Sequence, residues 1–323
     1  MMRTTKETLS LYTKEISWEC IPRTFQDAIV FTQNLGLAYI WIDSLCIVQD
    51  DLKDCQERSG AMTAIYSNSY ITLAAAMSDS PESGIYTKGE RYHGIMQTLA
   101  HFTRDGVNIP ILARRAHQHD DFPLRQRGWV FQERLLSPRT IVFAREEIIW
   151  ECQENEDCEC GERFHEWRAL LPIQSSREDR EETIESWRSV VLQYSTLDLT
   201  FSHDALPALS GIAQVFAKVF DDKYLAGLGK KTIVAGLLWY RTDETKGYLR
   251  DPEHSQWKAP SWSWVSIEFS GGPVDLLDLG TSLAQVLEAV VERAGKDPNG
   301  EVASGFLQMR AKASNATIEF LPK

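Results

Sequence analysis

Residues 24–76 read TFQDAIVFTQNLGLAYIWIDSLCIVQDDLKDCQERSGAMTAIYSNSYITLAAA, and their spacing decides the fold class. Phe25, Ala28, Ile29, Thr32 and Leu35 fall on one helical face. Thr24 is placed to cap that helix, Asp27 answers three residues later, and Gly36 supplies a stop. Leu37-Ala-Tyr-Ile-Trp-Ile comes next, apolar on both faces and too short for a core helix, which predicts an interior strand with Asp43 as its first charge. From Asp51 the helical spacing returns through Cys55, Met62, Ile65 and Tyr66, with acids in the first turn and Asn68 as a left-handed stop. Ile71-Thr-Leu-Ala-Ala-Ala predicts a second buried strand. Such a strand-helix-strand forms a right-handed parallel crossover, with Ile40, Ile42, Leu45, Leu73 and Ala75 buried and ligands expected beyond the strand ends, near Asp43 and residues 77–79.

Outward from this stretch the signals are local. Residues 95–99 and 107–113, split by Asp105-Gly106, predict a hairpin, Gly128 to Leu136 a short helix closed by Pro138, and residues 140–144 and 148–151 a second hairpin. Charges dominate residues 152–180, which sets a boundary near 160: a first domain over 1–160 and an accessory region over 161–323, helical and then β-rich. Helical spacing runs through Ile184, Trp187, Val191 and Tyr194, and again through Leu209, Ile212, Val215, Phe216 and Val219. Asp297-Pro-Asn-Gly between apolar runs marks a late turn.

Composition excludes several classes. The chain has 323 residues, 43% of them hydrophobic, and a formal net charge of -12. That balance argues against nucleic acid and an anionic membrane surface as partners. No apolar run has the length of a membrane span, the polar start is no signal peptide, and a cytoplasmic protein with its six cysteines as thiols is expected.

Candidate chemistry gathers in two places. Asp43, at an expected strand end, is a ligand or catalytic carboxylate, or else a cap. Asp50, Asp51, Asp54 and Glu57 answer the helix dipole, although Glu57 is also a candidate catalytic carboxylate. In Arg125-Gln-Arg-Gly-Trp-Val-Phe-Gln-Glu-Arg, the residues Arg127, Trp129, Gln132 and Arg134 can line a sugar, phosphate or nicotinamide pocket, with Glu133 as a further catalytic candidate. The other reading is a buried Arg–Glu network fixing a helix to the sheet. Cys152, Cys158, Cys160 and His165 lack a standard zinc spacing, so no metal is expected. Gly227-Leu-Gly-Lys-Lys-Thr fails as a phosphate loop, because Tyr224 holds the first glycine position and Lys231 intrudes before Thr232.

The phrases TFQDAI, LGLAYIWIDSLCIVQDD and IYSNSYITLAAA, followed by RGWVFQERLLSPR from Arg127, also resemble the fungal heterokaryon incompatibility (HET) domain. The resemblance implies a TIR- or flavodoxin-like α/β fold with a parallel sheet core and an added hairpin. It also implies a signalling or effector role in vegetative incompatibility, self/non-self recognition and regulated cell death, through self-association or a protein partner. An alternative carried by the TIR likeness is hydrolysis of NAD as a substrate, with no bound cofactor expected. Two departures bear on that chemistry. A strand and Cys-Trp-Gly loop that normally precede the helix at Thr24 are not found, so the first domain is expected to be truncated at its amino end, with an exposed edge beside residues 39–43 and residues 1–20 loosely packed there. Where many members have Asp-Trp followed by Glu, this chain reads Asp54-Cys55-Gln-Glu57-Arg58, which moves Glu57 about 100° around a helix.

Overall fold

A computed structural model describes residues 2–78, 80–86, 97–113, 122–144, 147–159, 163–164, 180–241, 257–267, 273–276 and 284–312. The chain divides into two units, Met1–Ala169 and Leu170–Lys323.

After the one-turn helix α1 (Leu9–Tyr12), helix α2 spans Arg23–Asn34. It ends as its glycine requires: Gly36 sits at φ +73°, its N–H donates to the Gln33 carbonyl, and the Leu37 N–H donates to the Thr32 carbonyl. Its start differs from the expected cap. Pro22 takes the cap position, and the Thr24 N–H donates to the Pro81 carbonyl. Asp27 is buried, where it pairs with Arg23 at 2.9 Å and accepts the Ile85 N–H at 3.2 Å. Gly84, at φ +81°, lies so close that a Cβ there would stand 2.5 Å from the Asp27 carboxylate.

Residues 37–42 form no strand, which corrects the central expectation. Ile42 has extended dihedrals, yet Tyr39 is 92% exposed and Ile40 36% exposed, and Leu73 and Ala75 are only half-buried. The reason lies in the pairing. Strand β1 (Thr72–Ala74) takes a different parallel partner, Leu73 lying opposite Ile141. Helix α3 (Asp43–Cys46) and helix α4 (Leu52–Ser67) lie between. Asp51 caps α4 by accepting the Lys53 N–H. Asn68 closes it at φ -104°, donating its side-chain amide to the Ala64 carbonyl rather than turning left-handed. Residues 1–20 are not uniformly loose: Thr4 is buried, forms a bridge with Val48 and donates its N–H to the Ser44 carbonyl, while Leu11 and Trp18 are exposed.

Strands β2 (Gln97–Arg104) and β3 (Val107–Ala113) make the expected hairpin, turning at Asp105 and Gly106, both at positive φ. Helix α5 (Gly128–Leu136) then leads into β4 (Arg139–Phe143), β5 (Ile148–Cys152), β6 (Glu156–Cys158) and β7 (Arg163–Phe164). The sheet order is β1-β4-β5-β6-β7, with one parallel pair and the rest antiparallel. The unit is therefore a mixed α/β layer rather than a parallel sheet. Its core gathers on the antiparallel part, from Ala76, Phe122, Val142, Ala144, Ile149 and Cys158. Phe31 brings α2 against the other face of β4 by an edge contact with the buried Phe143 at 5.5 Å. Cys158 is disulfide-bonded, which corrects the expectation of six thiols; Cys20, Cys46, Cys55 and Cys152 are free.

Among the described residues, the carboxy-terminal unit pairs helices α6 (Arg180–Tyr194), α7 (Pro207–Val219) and α8 (Ile233–Gly236) with three small antiparallel ladders. These are β8 (Tyr224–Leu225) with β9 (Leu228–Gly229), β10 (Trp239–Arg241) with β11 (Val274–Leu276), and β12 (Gln285–Arg293) with β13 (Val302–Arg310). The Gly-Leu-Gly-Lys-Lys stretch is a tight turn. Ala226 and Gly227 both take positive φ, and the Gly227 carbonyl accepts the indole N–H of Trp187 and of Trp264.

Candidate functional site

Where α3, α4 and α5 come together, the exposed Asp43 lies within electrostatic reach of the buried Glu133 carboxyl. Asp43 begins α3, so it stands at a helix start rather than a strand end, and its Oδ1 accepts the Ser44 N–H at 2.6 Å. Tyr66 comes from the last turn of α4, held by an edge contact with Trp41 at 5.8 Å. Glu133 comes from α5; the residue is half-buried with its carboxyl group inside, hydrogen-bonded by the Tyr66 hydroxyl. Arg127, exposed at the start of α5, lies close enough to act on that carboxyl by its charge.

Burial, and after it the negative charge of Asp43, pushes the Glu133 carboxyl up to about 7. The Tyr66 hydroxyl and Arg127 pull the other way without cancelling the effect. Tyr66 itself is held far above the usual phenol range, first by burial and then by the charges of Glu133 and Asp43, so it serves as a proton donor in a hydrogen bond and not as a base. A carboxyl that holds or yields its proton near neutrality, beside a second carboxyl, has the electrostatics of an acid–base pair. The buried Ser44 hydroxyl next to it has no hydrogen-bond partner among the described residues.

One step along α5 the chemistry changes. Arg134 is turned roughly 100° from Glu133, and its Nε donates to both oxygens of Glu151 at 3.0 and 2.7 Å. Arg125 donates to the same carboxylate at 2.8 Å, and both guanidiniums lie 3.8 Å from Glu156. Glu151 is fully buried. This is the network that fixes the helix to the sheet, so Arg134 is taken up by structure. Gln132 is likewise buried inside α5, while Trp129 is half-buried beside Arg127. Glu57 is exposed on α4, nine residues before Tyr66 and so on the opposite helical face, apart from the pair. Asp50, Asp51 and Asp54 accept backbone N–H groups of Lys6, Lys53 and Val48.

Of the expected site residues, the structure brings together Asp43, Glu133 and Arg127. It adds Tyr66 and Trp41, which sequence spacing marked only as core and strand. Among the described residues no group of His, Cys, Asp and Glu is arranged to hold a metal; Cys160 and His165 lie outside them. No described helix is long and apolar enough to cross a membrane. A cavity of about 290 Å³ opens in the carboxy-terminal unit, walled by Trp187, Phe216, Phe220 and Leu228. The charges at its rim serve one another: Arg188 is held by Asp275, and Asp222 accepts the N–H groups of Lys223 and Lys231.

Residues 2–133 match the family model described as Heterokaryon incompatibility protein (HET). No curated protein and no solved structure matches the chain. The matched segment begins before α1 and ends on Glu133, so it takes in every member of the acid–base cluster and stops short of Glu151. The segment that holds both carboxyl groups is thus the one that matches the heterokaryon incompatibility (HET) family.

Proposed function

We propose that the chain is a HET-type signalling or effector module in fungal vegetative incompatibility and regulated cell death, acting through self-association or a protein partner. The family match over residues 2–133 supports this reading. Inducible expression of the full chain in a filamentous fungus tests it. Growth arrest with loss of viability is expected, and unchanged growth at confirmed expression would overturn it.

A second reading is favoured by the Asp43–Glu133 pair: a TIR-like NAD glycohydrolase. Water replaces nicotinamide at the ribosyl carbon, with Asp43 steadying the oxocarbenium-like transition state and Glu133 taking the proton from water. Arg127 suits a diphosphate and Trp129 a flat ring. Purified protein incubated with NAD is expected to release nicotinamide, and Asp43→Asn and Glu133→Gln to stop it. Release from both variants at the wild-type rate would remove these residues from the chemistry.

A further inference from the structure

Residues 37–42 carry no helix, strand, turn or bend, Ile42 has extended dihedrals, and none of them takes part in a ladder. Among the described residues, neither the N–H groups of residues 38–42 nor the carbonyls of residues 37–41 make a hydrogen bond. Their side chains are apolar on both faces, and Tyr39 stands almost wholly in solvent. A free backbone row with apolar side chains is a template for adding a strand. The hairpin of β2 and β3 also exposes apolar side chains, yet its backbone is already paired across its own ladder.

We infer that the occupant is the same segment of a second copy of this chain, paired antiparallel about a two-fold axis through Ile40. The sequence fits itself in that register. Ile40 faces Ile40, Tyr39 faces Trp41 in both directions, and Ala38 faces Ile42. Aromatic residues directly opposite are among the favourable cross-strand pairs, and a two-fold contact forms each twice. Like charges stay apart. Asp43 falls opposite Leu37, which leaves the two Asp43 carboxylates about 20 Å apart at strand rise. The net charge of -12 on each copy opposes approach, but at physiological salt that repulsion is screened beyond about 8 Å. Trp41 is held beforehand by its contact with Tyr66, so part of the ordering cost of pairing is already met. The same contact ties the strand to the residue that bonds Glu133, so pairing and the acid–base cluster share one anchor.

The inference rests on the reading of the domain as a self-associating module and names the surface it uses. Sedimentation velocity of the full chain over a concentration series at physiological salt, with amide hydrogen exchange of residues 38–42, tests it. A reversible dimer is expected, with those amides protected in step with dimer formation. Ile40→Pro removes the central N–H without breaking any bond within one copy, and Tyr39→Lys removes both aromatic pairs. Each is expected to weaken the dimer by about tenfold or more, with circular dichroism and thermal unfolding unchanged. A wild-type chain that stays monomeric, a dimer whose residues 38–42 exchange freely, or a dimer untouched by both variants would each overturn it. The fungal viability assay is scored separately. A dimer of this kind without cell death overturns the functional reading and leaves the pairing, and cell death from a strict monomer does the reverse.

Discussion

Glu133→Gln is expected to remove from the amino-terminal unit the loss of stability that accompanies ionisation of this carboxyl as pH rises. The carboxyl sits at about 7 in the folded chain against an ordinary value of 4.5, so the native state binds its proton more tightly than the unfolded state does. The stability linked to that proton is fully present below the unfolded value and is lost as pH rises through the folded one. Between those limits the loss amounts to about 3 kcal/mol. Gln keeps an oxygen for the Tyr66 hydroxyl and never ionises. The variant is therefore expected to gain on the wild type by about 3 kcal/mol on going from about pH 4.5 to about pH 8. Native-state hydrogen exchange of the α5 amides reads this directly, because it reports the opening of this unit and is not averaged with the other. Asp43→Asn removes the second cause of the shift but not burial, so it should reduce the slope without flattening it. Parallel stability curves for wild type and Glu133→Gln across this range would refute the buried, proton-holding carboxyl and the acid–base pair with it.

Glu151→Ala leaves two guanidiniums in the interior without their shared acceptor and is expected to cost about 3–5 kcal/mol in urea unfolding. Recovery of stability in Arg125→Met/Glu151→Leu/Arg134→Met would show that the cost lies in the unpaired charges. Ile149→Ala, at a residue with 0% exposure, should cost about 2–5 kcal/mol by the same measure. Gly36→Ala meets no atom within 4 Å, so its φ of +73° alone is tested, and a loss of about 1 kcal/mol is expected in thermal unfolding. Gly227→Ala adds a Cβ 2.7 Å from the Trp264 indole nitrogen, and its loss should exceed that of Gly36→Ala.

What the sequence made legible was chemistry carried by neighbours along the chain. The stop at Gly36, the turn at Asp105-Gly106, the hairpin of β4 and β5 and the turn after Asp297 each depend on a few adjacent residues, and each is where spacing places it. A strand is expected at 37–42 and not found because a continuous apolar run describes side chains, whereas a strand exists only if another backbone lies beside it. Its expected neighbour pairs with residues 140–142, some seventy positions away from it in sequence. Asp27 was misplaced for a similar reason: a capping box is a local idea, and the amide that claims this carboxylate belongs to Ile85. Glu133 and Arg134 were both marked as site residues because they are adjacent. Only the fold separates them, sending one to Asp43 and the other to Glu151. Tyr66 shows the limit of periodicity, which places a side chain on an inner face and says nothing of what its hydroxyl meets there.

The ties of Arg125 and Arg134 to Glu151 also decide where this module can be divided. The family-model match ends at Glu133, but β1 has its only sheet partner among the described residues in β4, and Arg125 pairs with Glu151 on β5 at 2.8 Å. A gene fusion or recombination joint placed at residue 133 would carry away the text of the family and leave behind the half of the sheet that lets it fold. A transplantable unit has to run past Glu151 and Glu156, so inheritance of this domain as a working part is set by a salt link and a strand that lie beyond its signature.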